Sequence, residues 1–374
     1  MEDLFLDSFA DCQRRFQATL PRLRACRPGA RLMEFPLAAA PDLAIMAIAA
    51  EPSATPDRSV IFTVGQHDIE GYVGSAMLEL FVQEFVPRLN AKHTGLLLVH
   101  PVNPWGMKHR RRTNAFNVDL NRNFVPDPAS LSPCANPDYT RVEACLMPRG
   151  RLRSAVCARL RFGLGLACGL ARLGPARLRR AVLLGQYCSP RGLHYGGNQV
   201  QEETRIMMRL FHQQGERYDQ VLHLDMHTGY GPPDQMTIIH SALEPASSDA
   251  LARRLGYPRV ARADPAEFYS ILGDMIDYQV QTFQERFPAK RLYAASFEFG
   301  TVGEATGALL YSLRTMILES QMHWYGAPDG LRRRIEQDFE ALFFPRSSAW
   351  QDKAVADARQ AFQGILQAEG YLTP

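Results

Sequence analysis

The chain has 374 residues, 46% of them hydrophobic and 22% charged, which is ordinary globular usage with enough apolar material for a large core. A formal net charge of +3 is too small to mark a nucleic-acid partner or a membrane association for the chain as a whole. The acidic start Met1–Asp7 lacks the basic, apolar and small-residue segments of a secretory signal, so a cytoplasmic location is expected. The seven cysteines, at 12, 26, 134, 145, 157, 168 and 188, are odd in number, scattered and without CxxC spacing. They suggest neither a disulfide framework nor a cysteine zinc site, and reduced thiols are expected.

In chain order, a helix is predicted over Asp7–Arg24 and a hairpin or two short strands over Leu32–Ala49, followed by a proline-containing turn at Ser53–Arg58. Ser59–Val64 reads as a buried, β-branched strand. In the helix that follows, Val73, Met77, Leu80, Phe81, Phe85 and Leu89 recur at three- and four-residue intervals and should face a sheet. Gly95–Val102 is the next strand, ended by a turn at Asn103-Pro104-Trp105-Gly106. Strands are expected again at Gln220–Thr228, Met236–Ala242 and Leu292–Phe299. Helices are expected at Glu304–Trp324, Leu331–Phe343 and Ser348–Glu369, the last capped by Ser347 or Ser348. The alternation predicts an α/β fold, a twisted mixed, mostly parallel sheet flanked by helices on both faces, in a single domain spanning 1–374.

One block breaks the pattern. From Met147 to Arg180 there are nine arginines and no acidic residue, interleaved with Leu, Ala and Gly. Arg161 and Arg172 interrupt the apolar run too early for a bilayer span, so no stable membrane insertion is expected. A helical hairpin inserted at about 140–184 with solvated arginines is one reading. A basic wall beside an active site is the other.

The chemistry-bearing residues lie at strand ends. His67 and Glu70, three apart, follow the strand ending at Val64 and suit a divalent metal; a catalytic zinc needs a third protein ligand and one open position. Val221–Gly229 is an apolar strand carrying His223 and His227, four apart and therefore on one face, at the end where sites in α/β sheets gather. Between Arg110 and Phe124 an arginine- and asparagine-rich loop offers groups that pair with anions. Glu298 sits inside the apolar strand Ser296–Gly300, where a carboxylate is costly unless paired or functional.

These motifs occur in order: His67-x-x-Glu70, Asn-Pro-x-Gly at Asn103–Gly106, Arg-x-Asn at Arg112–Asn114, Val-Asp-Leu-Asn-Arg-Asn-Phe at Val118–Phe124, Asp-x-His-Thr-Gly at Asp225–Gly229 and Phe-Glu-Phe-Gly at Phe297–Gly300. Together they resemble the zinc carboxypeptidases of the M14 type. Within that superfamily the chain is most similar to the DUF2817 group, through Gly185-Gln186-Tyr187, the Gly192–Gly197 loop and Arg14-Arg15-Phe16. The similarity runs roughly from Asp7 to Gly300. It implies one zinc per chain held by His67, Glu70 and His227, with Glu298 as general base and Arg112 facing the developing oxyanion. Asn121 and Arg122 would grip a substrate carboxylate, Tyr195 would contact substrate, and Asp119 and Asp225 would orient the ligands. His194, Tyr187 and Tyr230 are expected to shape the site. Where the group usually has His-Gly-x-Glu-Gly, this chain places Asp68 after the histidine, a carboxylate expected to tune metal affinity or substrate charge. The implied activity is hydrolysis of an amide bond next to a free carboxylate, as in a short peptide. The alternatives are an N-acyl amino acid deacylase of the aspartoacylase and succinylglutamate desuccinylase type, and a metal-binding interaction protein without turnover.

Overall fold

The structure is a computed structural model and describes residues 4–268 and 271–373; Met1–Asp3 of the acidic amino terminus lie outside the described residues. Helix α1 (Phe9–Cys26) leads into the hairpin β1 (Arg31–Leu37) and β2 (Ala40–Ala50), then β3 (Arg58–Val64), α2 (Gly71–Glu84), β4 (Thr94–His100) and the short α3 (Pro104–His109). Next come α4 (Pro137–Leu146), α5 (Ala155–Leu183), α6 (Glu202–Arg217), β5 (Gln220–Gly229), β6 (Met236–His240), α7 (Ser248–Leu255), β7 (Val260–Arg262), α8 (Met275–Arg286) and β8 (Arg291–Gly300). Helices α9 (Thr306–Tyr325), α10 (Asp329–Phe343) and α11 (Ser348–Ala368) follow, α11 being capped by the Ser347 side chain.

The strands form one mixed sheet in the order β1-β2-β4-β3-β5-β8-β6-β7. Its centre, β4-β3-β5-β8, is parallel; on one flank β2 pairs antiparallel with β4 and with β1, and on the other β6 pairs antiparallel with β8 and parallel with β7. Alternation along β3 shows why both faces are covered. Val60, Phe62 and Val64 join the core under α1, α2, α10 and α11, whereas Ile61 joins the opposite core with Phe211 of α6 and Phe283 of α8. The fold is therefore the carboxypeptidase-like α/β arrangement expected from the sequence. Among the described residues no helix is long and apolar enough to cross a membrane.

Three local expectations change. The turn at Asn103–Gly106 is the start of α3, because the Asn103 side chain accepts from Gly106 N and Pro104 opens the helix. Helix α2 is buried nearly all round rather than on one face, being wedged between the sheet and helices α1 and α11. The thiols are not all reduced: Cys145 and Cys168 form a disulfide joining α4 to α5, with Cα atoms 6.1 Å apart. Residues 23 apart in sequence are brought together by an antiparallel helix pair, which no spacing rule reveals.

Candidate metal centre

The site gathers where β3, β5 and β8 end at their carboxyl edge. Gly65 turns the chain out of β3 at φ +70°, and a Cβ there would stand 2.7 Å from Pro101 Cβ, so only glycine fits the bend that presents His67 and Glu70. In the parallel register His227 of β5 lies directly beside Glu298 of β8. Potential ligand atoms of His67, Glu70 and His227 all lie within 4.8 Å of one another.

Two carboxylates fix the ring nitrogens. Asp119 Oδ1 lies 2.7 Å from His67 Nε2, and Asp225 Oδ2 lies 2.6 Å from His227 Nε2. With the Nε2 proton turned to its carboxylate, each neutral ring leaves Nδ1 with a lone pair facing inward. His67 Nδ1 is buried, lacks a hydrogen-bond partner and stands 3.4 Å from Glu70 Oε1; His227 Nδ1 is 3.3 Å from Glu70 Oε2. Two imidazole nitrogens and a carboxylate, dry and convergent, are the donor set of a catalytic zinc site with a position to spare. The residues fit the metal.

The charges around this set favour its deprotonated carboxylates. Burial works to raise the Glu70 carboxyl, but Arg112 at 2.5 Å and the two histidines outweigh it and hold the group below the usual range. For Asp225 burial is likewise overcome, chiefly by His227. Behind it Thr63 donates to Asp225 and lies 2.8 Å from His223 Nε2, which places His223 behind His227 and outside the cluster of His67, Glu70 and His227. Glu298 behaves oppositely. Burial, aided by the negative Glu70, pushes its carboxyl up to about 7, and the Tyr230 backbone N–H fixes Oε1 at 2.9 Å.

His67, Glu70, His227, Arg112, Asn121 and Glu298 line one cavity of about 460 Å³, as do His194 and Tyr230. His194 takes a left-handed backbone conformation, φ +49°, and turns Nδ1 to Asp119 Oδ2 at 2.9 Å. Its Nε2 is buried without a hydrogen-bond partner. One carboxylate thus orients both His67 and His194.

Other expected residues are not brought to the cavity. Tyr195 is in the core with Val118, Leu120 and Phe124, because the left-handed backbone at His194 turns the chain and sends the next side chain away from the cavity. Tyr187 is buried, donating to Arg122 O at 2.7 Å. Arg122 runs beneath Gly185, where a Cβ would meet its Cδ at 2.5 Å, and its guanidinium donates to the backbone oxygens of Asn121 and Leu183. Consecutive residues of a tight turn diverge, and Asn121 holds the cavity side. The asparagine-rich loop is mostly framework: Asn114 binds Gln201 and Glu203, and Asn123 binds Gly196 O and Gln199 O. Asp68 is not on the cavity wall but in a nook between Gly65, Gly71 and Gly106, where burial, aided by the negative Glu70, pushes its carboxyl well above the usual range.

The cavity also has walls that the motifs do not announce. Asp274 and Asp277 stand at the start of α8, Asp274 accepting from Asn121 Nδ2 at 2.9 Å. Burial, then Asp274, raises Asp277 to about 6. The Asp-x-x-Asp spacing before an apolar run is a helix-start signal and could have located α8. From α5 comes Arg179, donating to Tyr230 Oη at 2.8 Å, together with Leu166, Leu170, Leu178 and Val182. Of the nine arginines between Met147 and Arg180, Arg179 alone lines the cavity. The wall is largely leucine, and of the two readings the structure matches the helical hairpin, α4 and α5, with its nine arginines exposed, rather than a basic wall.

A family model described as "Protein of unknown function (DUF2817)" matches residues 5–357. The chain belongs to the DUF2817 family. No curated protein matches this DUF2817 chain. Among solved structures it is similar to bovine thrombin-activatable fibrinolysis inhibitor in complex with tick carboxypeptidase inhibitor, at 13% identity and TM-score 0.50, covering 96% of this chain and 97% of the other. It also matches carboxypeptidase A from Helicoverpa armigera, at 14% identity, TM-score 0.46 and coverage of 90% and 74%. A succinylglutamate desuccinylase from Silicibacter sp. TM1040 matches at 11% identity, TM-score 0.38 and coverage of 80% and 67%. At these identities the likeness is one of fold.

Proposed function

We propose that this DUF2817 protein is a zinc-dependent hydrolase that cleaves an amide bond next to a free carboxylate, acting like a carboxypeptidase on a short peptide. One observation carries the reading: the inward Nδ1 atoms of His67 and His227 converge on Glu70 within 4.8 Å, with buried Glu298 lining the same cavity. His67, Glu70 and His227 would hold one zinc. When bound there, zinc supplies a Lewis acid for the amide carbonyl and lowers the pKa of a water from about 15.7 toward about 7.

The chain's own residues do the rest. Glu298, raised to about 7, is matched to taking a proton from water at neutral pH and returning it to the departing amine, a shuttle worth about 10²–10⁴-fold. The Tyr230 N–H keeps the other lone pairs of Glu298 aimed at the cavity. Arg112, lining the cavity beside Glu70, is the donor for the developing oxyanion, a role worth about 3–4 kcal/mol when the donor is preorganised. Arg122 is walled off, so Asn121 and the cavity-lining Arg179 are assigned to the substrate carboxylate.

The leucine wall favours a second substrate for the same chemistry: an N-acyl amino acid whose acyl chain occupies the apolar side. Dipeptides and N-acyl amino acids, each with free and amidated carboxyl ends, would be incubated with native protein and with Glu298→Gln and read by mass spectrometry. Hydrolysis of free-carboxyl substrates by the native protein alone is expected. Equal product from both proteins overturns the mechanism, and indifference to amidation overturns the carboxylate assignment. One zinc per chain with no hydrolysis anywhere in the panel would leave a metal-binding interaction protein.

A further inference from the structure

Helix α5 carries a face that the hydrolytic site does not use. Its inner side is seated on the body: Ala158, Gly165, Gly169 and Leu173 are buried, and Gly165 lies so close to α4 that a Cβ would meet Cys145 O at 2.0 Å. The outer side is apolar and open. Val156, Leu160 and Leu164 are 66%, 63% and 72% exposed, and their four-residue spacing sets them in one stripe. Exposed Gly163, Ala167 and Ala171 fall on the same face, so the stripe has no polar interruption along its middle. Six large apolar side chains are exposed among the described residues, and four of them belong to this helix, which makes a patch rather than scatter.

Charge borders the stripe. At about 100° per residue, Arg159 falls on one edge, with Arg161 and Arg172 on the other, all three exposed. The segment Met147–Arg180 contains no acidic residue to answer them. A second copy meeting this face about a two-fold axis would set arginine edge against arginine edge. A helix with an apolar face and arginine flanks, seated flat and too charged to span, has the chemistry of an interfacial membrane helix. We propose that the outer face of α5, over Ala155–Leu173, docks this protein on an anionic lipid surface.

The same helix joins that face to the cavity. Gly174, at φ +71°, breaks α5 just after the exposed segment; Leu166 and Leu170 before the break and Leu178 and Val182 after it line the cavity, facing Leu309, Leu310 and Leu313 of α9. Leu170 is both exposed and part of the cavity wall, so an acyl chain leaving the lipid would meet apolar side chains where α5 borders the cavity. This step rests on the proposed hydrolysis and names its substrate class: an amphiphilic N-acyl amino acid, held by its chain on the leucine wall.

The test is co-flotation of the full-length protein with vesicles of phosphatidylcholine alone or with phosphatidylglycerol added. Binding to the anionic vesicles about tenfold above the neutral ones is expected, falling as salt rises. Leu160→Asp with Leu164→Asp should lower it by about tenfold, and Arg159→Gln with Arg161→Gln should erase the preference for anionic lipid. A Leu160→Trp variant should show blue-shifted fluorescence on adding anionic vesicles. These positions are exposed, and an unchanged melting temperature shows that the variants fold. Failure of the native protein to float with either vesicle overturns the proposal, as does unaltered binding by the double aspartate variant. A dimer that the aspartates dissociate, with no flotation, assigns the face to a second copy. Flotation needs no turnover, so it stands or falls apart from the hydrolytic reading. Hydrolysis of N-acetyl substrates with no gain from longer acyl chains would overturn the substrate class alone.

Discussion

Asp119 is the residue whose removal tests the site most directly, because one buried carboxylate orients two imidazoles. Its Oδ1 serves His67 Nε2 at 2.7 Å and also accepts from Asn121 N at 3.1 Å; its Oδ2 serves His194 Nδ1 at 2.9 Å. Burial opposes its charge, but His67 and Arg122 outweigh burial and hold the carboxyl well below the usual range. In Asp119→Asn one oxygen becomes an NH₂ donor. Two donors converge on Oδ1, so the amide oxygen stays there, His67 keeps its proton on Nε2 and its lone pair on Nδ1. His194 must then reverse its tautomer. Asp119→Ala removes the anchor of His67 as well. Loss of such a supporting carboxylate costs about 10–100-fold in metal affinity, or about 1.4–2.7 kcal/mol. Asp119→Asn is expected near the lower end and Asp119→Ala near the upper. Competition against a chromophoric chelator at neutral pH measures both without any substrate. Zinc affinity of Asp119→Ala within about twofold of native would show that His67 is not oriented by this carboxylate.

Three further outcomes follow from the geometry. Glu298→Gln should lose about 10²–10⁴-fold in kcat, measured on whichever substrate the panel identifies, while zinc content by elemental analysis is unchanged. Arg122→Ala deprives the carbonyls of Asn121 and Leu183 of charged donors and should lower stability by about 2–3 kcal/mol, read as a shifted urea midpoint, while leaving KM for a free-carboxyl substrate little altered. His100, stacked on Phe16 at 5.2 Å with both ring nitrogens buried and without hydrogen bonds, is driven by burial down to about 3. Below pH about 6.5 the unfolded chain takes a proton that the folded chain refuses. Stability should therefore drop as pH falls from about 6.5 toward 3, by about 1.4 kcal/mol per unit and about 5 kcal/mol in all. His100→Phe should flatten that acid limb in denaturation curves; parallel curves for the two proteins would refute it.

What was legible in the sequence is what a short-range pattern can carry. Strands β3, β4, β5 and β8 alternate or run apolar, and their ends bear His67, His227 and Glu298, so the motifs and the sheet specify the same edge. Illegible were directions set by neighbours. Asn121 and Arg122 are adjacent in one motif, yet a tight turn sends the first to the cavity and the second under Gly185. His194 and Tyr195 divide in the same way. Helix α6 did carry its signal, Ile206, Met207, Leu210 and Phe211 at helical spacing, and its burial follows from that stripe.

Helix α5 shows why composition alone left two readings of the insertion open: a helix separates what a sequence interleaves. At 3.6 residues per turn the small residues Gly165 and Gly169 face inward, Leu166 and Leu170 turn toward the cavity, and Val156, Leu160 and Leu164 look outward between arginine borders. Nine arginines and no acid therefore yield one cation at the cavity, Arg179, which follows the break in α5 at Gly174 and Pro175. Gly174→Ala disfavours φ +71°, while Pro175 still prevents a regular helix across the break, so the second half of α5 must re-seat, which should swing Arg179 off Tyr230 and shift Leu178 and Val182 on the cavity wall. The variant should bind zinc like the native protein, because none of the ligands lies on α5, yet lose affinity for long-chain and free-carboxyl substrates together. Loss of one without the other would show that chain and carboxylate are held by different elements.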